Sequence, residues 1–304
     1  MTSITTSAFY ERSTRALGAL RKQAEDLQRT ISSGQRLERG SDDPVGAAQL
    51  RALTRESRFA DISAAAGARV SSDLALSDSG LSDFAAYVTR IKELAIQAGS
   101  DTLTQAQRAG IGVEIKEVYG ELIRLANSRD SAGQALFGGE APGAAYTLDA
   151  AGIPVYAGTA KAGELALGDG QSVIRGVTGP EFLNFKGPNG PTDLFTLVRG
   201  LGDALQGNAP DPAQVARDAL GDLDAGLDAI TTAQTVIGSR MNWIDLVGER
   251  RTQRSEQRSE QQSAVGGSDL ATSITALQEI MTVLEASQAA FTRLAGLSLV
   301  TMLR

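Results

Sequence analysis

Two stretches at opposite ends of this chain carry the same stripe of apolar residues. Within each stretch the spacings alternate between three and four, which places the residues on one side of an α-helix, as in a coiled-coil seam. Neither helix has a sequence neighbour that could cover its stripe, so we expect the two ends to pair with each other or with copies of themselves. The predicted assembly seam consists of Leu17, Leu20, Ala24, Leu27 and Ile31 near the start and of Ile274, Leu277, Met281, Leu284, Phe291 and Leu294 near the end.

The composition argues against several classes of function. The chain has no Cys and no His, which removes thiol and imidazole catalysis, Cys/His zinc sites and disulfides. A net charge of -7 argues against nucleic acid, whose partners carry a basic surface. No apolar run is long enough for a membrane span, and the first residues lack the pattern of a secretory signal. We therefore expect no catalytic residues, no cofactor and no metal site.

A clear signal marks the start of a long second helix. Asp43 is suited to cap a helix through its carboxylate, and Pro44 is suited to the first helical position. From Pro44 the apolar pattern predicts one helix to about Ala98. Thr104 and Gln107 then resemble a capping box, which predicts a third helix.

The residue pattern in the second half of the chain predicts another long helix. Asp211 and Pro212 repeat the pairing of a cap with a proline, and the helical pattern continues into residues 249–263, which contain no apolar residue. Gly266 and Gly267 lie in the last break before the closing helix. These elements predict a mainly α fold in which N- and C-terminal segments form a long antiparallel helical bundle or coiled coil.

A glycine- and proline-rich stretch interrupts the helices and predicts a small β insertion. We expect three domains on this basis. Residues 1–40 and 265–304 form a terminal coiled-coil assembly domain, residues 41–137 and 200–264 a bundle of long helices, and residues 138–199 the β-rich outer insertion.

The adjacent carboxylates of Asp42 and Asp43 invite a catalytic or metal-binding interpretation. Adjacent residues on a turn do not converge on one point, and capping accounts for Asp43, so we favour the structural role. The β insertion could bind polysaccharide at a cell surface, or hold a carboxylate-based hydrolase site. No residue pattern within it is specific to either activity.

Several motifs resemble those of bacterial flagellin-type proteins and, within that family, of the hook–filament junction proteins. Each motif alone is weak, but their order and spacing are specific. The resemblance covers roughly residues 1–140 and 225–304. The motifs are ISSGQRL at residues 31–37, SDDPVGAA at 41–48, RIKELAIQA at 90–98, LFGG at 136–139 and IGSRMN at 237–242.

This resemblance implies a flagellin-like fold and a structural role in the bacterial flagellum. The implied protein joins the hook to the flagellin filament and assembles with itself through its terminal helices. Its implied partners are copies of itself, the hook-side junction protein (hook-associated protein 1), flagellin and a flagellar export chaperone. The resemblance also implies an extracellular location reached through the flagellar type III system, without a cleaved signal peptide. A filament flagellin is the alternative within the family.

Overall fold

The computed structural model describes residues 3–37, 39–168 and 170–302, and the side chains of residues 8, 10–37, 39–168 and 170–293. Its helices are α1 (Ser3–Ser33), α2 (Pro44–Ala98), α3 (Gln105–Ala126), α4 (Gly179–Leu183), α5 (Leu194–Asp203), α6 (Pro212–Gly266) and α7 (Leu270–Met302). Its strands are β1 (Tyr146–Leu148), β2 (Pro154–Tyr156), β3 (Glu164–Gly168), β4 (Gln171–Ile174), β5 (Asn184–Gly187) and β6 (Gly190–Asp193). The predicted fold class, mainly α with a small β insertion, is confirmed.

The chain forms two compact units. The terminal unit contains Met1–Arg58 and Gln253–Arg304, and the central unit contains Phe59–Thr252. Helices α2 and α6 each contribute residues to both units. The division into three domains stays a prediction.

The core of the central unit follows the heptad-like stripe of α2. Ser77 occupies one position of this stripe, where it is 1% exposed and its hydroxyl donates to the carbonyl oxygen of Asp73 over 2.9 Å. This bond satisfies a polar group that would otherwise be costly to bury. The buried apolar residues of the stripe are Val70, Leu74, Leu81, Phe84, Val88, Ile91 and Ala95.

The β insertion consists of three antiparallel hairpins, which pair β1 with β2, β3 with β4 and β5 with β6. Three buried aromatic rings join this region to α2: Phe84, Phe137 and Phe182. Their ring centroids lie 5.1 to 6.0 Å apart in edge-to-face arrangements, which aromatic pairs favour. A Cβ atom at Gly80 would lie 3.1 Å from the Phe137 ring, so glycine allows this close packing.

The hairpin of β3 and β4, together with the loop that follows it, is attached to α6. The indole Nε1 of Trp243 donates to the carbonyl oxygen of Ser172 over 3.2 Å, and Nη1 of Arg240 donates to that of Gly176 over 2.6 Å. None of the helices in the described part of the chain combines the length and the apolar character that a bilayer crossing requires.

Candidate assembly interface

Helices α1 and α7 pack against each other in the terminal unit. The ring of Tyr10 meets that of Phe291 edge-on, with centroids 5.4 Å apart. At the other end of the pair, the amide of Ser268 donates to the carbonyl oxygen of Gly34 over 3.0 Å. Because the start of α1 meets the end of α7, the two helices run antiparallel.

The side chains between the two helices form an inner stripe. Ala24 of α1 and Leu284 of α7 are each only 9% exposed. The other members are half-buried. On α7 these members and Leu284 together recur at spacings of three, four and seven. These half-buried apolar members are Leu17, Leu20, Leu27 and Ile31 on α1 and Leu277, Ile280 and Phe291 on α7.

A second set of apolar side chains lies on the surface of α7. Leu270, Ile274 and Met281 are 47%, 44% and 44% exposed and share a face beside the inner stripe, which we call the outer stripe. Two positions of the predicted seam, Ile274 and Met281, are therefore only partly covered within the subunit. The side chain of Leu294 lies outside the described residues. That the seam mediates assembly stays a prediction.

The link between α6 and α7 is tied to the link between α1 and α2. The backbone amide of Arg36 donates to the carbonyl oxygen of Gly266 over 2.8 Å, and its Nη2 donates to that of Val265 over 2.8 Å. A Cβ atom at Gly266 would lie 2.7 Å from Leu50, and one at Gly267 would lie 2.4 Å from the carbonyl oxygen of Ser263. Glycine at position 266 thus allows α2 to approach the end of α6, whereas glycine at position 267 leaves room for a carbonyl oxygen of the preceding turn of α6.

The carboxylate of Asp43 lies at the start of α2. It accepts a 2.9 Å hydrogen bond from the backbone amide of Gly46, which lies three residues further along the chain. It also lies 3.5 Å from Nη2 of Arg36. The hydrogen bond from the backbone amide of Gly46 is the main cause that lowers the pKa of Asp43, and the side chain of Arg36 lowers it further. Pro44 is the first residue of α2. This geometry is that of a helix cap beside a proline at the first position.

A comparable carboxylate stands before α7, at Asp269. It accepts bonds from the amides of Ala271 and Thr272 over 3.0 and 3.2 Å and from the Thr272 hydroxyl over 2.7 Å. These bonds, led by that of the Thr272 side chain, lower the pKa of Asp269. Our reading of the sequence did not single out this cap. The signal was an Asp just before an apolar residue, with the break at Gly266 and Gly267 upstream.

Comparison with known proteins gives this interface a context. Residues 4–141 match the model of the bacterial flagellin N-terminal helical region. The flagellar hook-associated protein 3 of Escherichia coli is 24% identical over 312 residues, which span 97% of each chain. The protein of the same name from Salmonella typhimurium is 25% identical over 315 residues, which span 97% of this chain and 98% of the relative.

A solved structure shows the same fold. The structure of a putative flagellar hook-associated protein from Vibrio parahaemolyticus matches with a TM-score of 0.68 at 20% identity, over 74% of this chain and all of that chain. The motifs, the sequence matches over nearly the whole chain and the fold point in one direction. This chain therefore has the flagellin-type fold, and its resemblance to the flagellar hook-associated protein 3 within the flagellin family is confirmed.

Proposed function

We propose that this protein is a structural adaptor of the bacterial flagellum, which joins the hook to the flagellin filament and assembles with itself through its terminal helices. The observation that carries this proposal is the pair of apolar stripes on α7. The inner stripe packs on α1 within the subunit, whereas the outer stripe of Leu270, Ile274 and Met281 stays exposed. The likeness to proteins named flagellar hook-associated protein 3 supports the same role.

The energetics favour covering the outer stripe. Full burial of an apolar side chain of this size contributes about 1.5–3 kcal/mol. The three residues are a little under half exposed, so covering them returns roughly half of that for each. We propose that a copy of the subunit covers this stripe with its own terminal helices, because its α7 carries the same exposed apolar residues.

The specific binding partners that we propose follow from the same role. One end of the assembled adaptor meets the hook-side junction protein, hook-associated protein 1, and the other end meets flagellin. A flagellar export chaperone holds the terminal helices before export, and the chain reaches the flagellum through the type III system. The absence of Cys suits export of an unfolded chain, since no disulfide can block threading.

A deletion strain tests the proposed function. Cells that lack the protein are expected to keep their hooks, lose their filaments and release flagellin into the medium, as seen by electron microscopy and by blotting of the supernatant. A plasmid copy of the wild-type gene should restore the filaments. Normal filaments in the deletion strain would contradict the adaptor role. A loss of hooks would place the protein earlier in assembly.

A further inference from the structure

The charges of the chain are distributed unevenly between its two units. The terminal unit carries 14 Lys and Arg against 12 Asp and Glu, whereas the central unit carries 15 against 24. The central unit therefore has a net charge of -9 and the terminal unit one of +2, which together give the chain its net charge of -7. Such segregation favours contact between unlike units of neighbouring molecules.

The positive charge of the terminal unit includes a stripe of three arginines on α2, which we call the arginine stripe. Arg51, Arg55 and Arg58 follow spacings of four and three, so they share one face of the helix, and all three are exposed. They line an open groove of about 460 Å³ together with Leu50 and Thr54.

The arginine stripe has no charge partner in the described part of the subunit. None of its three guanidinium groups forms an ion pair or a hydrogen bond with a described residue. Arg258 in the same unit differs, since its Nη1 lies 3.4 Å from Oε1 of Glu56. Like charges at these helical spacings destabilise a helix. The stripe is thus a surface that an acidic partner would stabilise.

The central unit offers the complementary surface on the first half of α6. Residues 211–239 contain five Asp and one Arg, and that arginine, Arg217, pairs with Asp101 over 3.1 Å. Asp224 pairs with Lys92. Asp218 and Asp228 are exposed and form no ion pair with a described residue. The two residues lie ten positions apart, so their side chains point about 80° apart around the helix axis. We call the surface that they border the acidic face.

We infer that the arginine stripe of one subunit docks on the acidic face of a neighbouring copy. This inference rests on the proposed function, because it requires copies to stand side by side in an assembly. Charge complementarity selects the partner, since the chain itself supplies the acidic surface and its net charge disfavours nucleic acid and anionic membranes. Arginine suits the task because its guanidinium binds carboxylates in a bidentate manner.

Chemical cross-linking in isolated flagella tests the contact. The chain has no Cys, so Arg55→Cys and Asp228→Cys introduce the only two thiols. A short bismaleimide is the suitable reagent, because an Arg–Asp pair holds its Cα atoms further apart than a disulfide allows. We expect cross-linked dimers and higher oligomers of the double variant. Each single variant, and the pair Arg55→Cys with Glu117→Cys on α3, should stay monomeric on the gel.

Charge reversal provides a second measurement. The variant Arg51→Glu/Arg55→Glu/Arg58→Glu should reduce the fraction of cells with filaments at least ten-fold, and adding Asp218→Arg/Asp228→Arg should restore it. The matched variant with Lys at the three arginine positions keeps the charge but loses the bidentate geometry, so it should form far more filaments than the triple Glu variant. Wild-type assembly of the triple Glu variant, or a defect that the Asp replacements do not rescue, would overturn the inference. If the Glu variant fails to fold, the cross-linking experiment decides.

The two hypotheses fail in different ways. If the wild-type protein is absent from isolated flagella, the proposed function is wrong. If the protein is present but the Arg55→Cys/Asp228→Cys pair does not cross-link, the docking inference is wrong and the proposed function stands.

Discussion

Aspartate substitutions at Leu284 and Met281 should differ strongly in their effect on the isolated subunit, although the two positions lie three residues apart on α7. Leu284 belongs to the inner stripe and is 9% exposed, whereas Met281 belongs to the outer stripe and is 44% exposed. Leu284→Asp removes about 2 kcal/mol of apolar burial. It also places a carboxylate between two helices, at a cost of about 2 kcal/mol or more.

A loss of about 4 kcal/mol should separate α1 from α7, because few side chains hold them together. Isolated helices are marginal in water, so the 31-residue α1 and the 33-residue α7 should lose much of their helical circular dichroism. Met281→Asp changes a position that is already 44% exposed and should lower the free energy of unfolding by only about 1 kcal/mol.

The chain has a single Trp, Trp243, which lies in the central unit. Its fluorescence therefore follows the unfolding of that unit, and the fluorescence transition in urea should be the same for both variants and the wild type. Full helical amplitude in Leu284→Asp, or an equal loss in Met281→Asp, would refute the assignment of inner and outer stripes. In cells, Met281→Asp should block filament formation with a folded subunit, and normal filaments would refute assembly through the outer stripe.

Three further outcomes can be checked on the purified protein. Phe137→Ala should lower the free energy of unfolding by about 3–5 kcal/mol, because the ring is fully buried between Phe84 and Phe182; a change below about 1 kcal/mol in urea denaturation would contradict this. The lowered pKa of Asp269 means that its carboxylate stabilises the fold above the unfolded-state pKa of about 4. This contribution is lost as the pH falls through the lower folded-state pKa. Asp269→Asn should therefore destabilise the protein at pH 6 but have little effect near pH 2. Equal effects at both pH values would exclude a role for the charge. Amide hydrogen exchange should be faster in α1 and α7 than in residues 70–98 of α2. The reason is that Ala24 and Leu284 are the only buried apolar residues among the described side chains of the two terminal helices. Equal protection would show that the terminal pair is as stable as the core.

Local signals in the sequence account for the starts of three of the longer helices. The proline at position 44, the Thr104–Gln107 capping box and the proline at position 212 each predict a helix start, and α2, α3 and α6 begin at Pro44, Gln105 and Pro212. Such signals work because a cap or a proline acts within one turn of the backbone. The Asp269 cap acts through the same local chemistry, so it too was accessible to sequence reasoning.

The sequence by itself determined that α1 and α7 are amphipathic and that their apolar residues repeat at helical spacing. It did not determine which of these residues the subunit covers. Leu284 packs on α1 whereas Met281 faces outward, because a helix with apolar residues over a wide arc can turn either side toward its partner, and only packing selects the rotation. The same holds for charge, since a spacing of four and three predicts that Arg51, Arg55 and Arg58 share a face, but only the tertiary structure shows that no described carboxylate neutralises them.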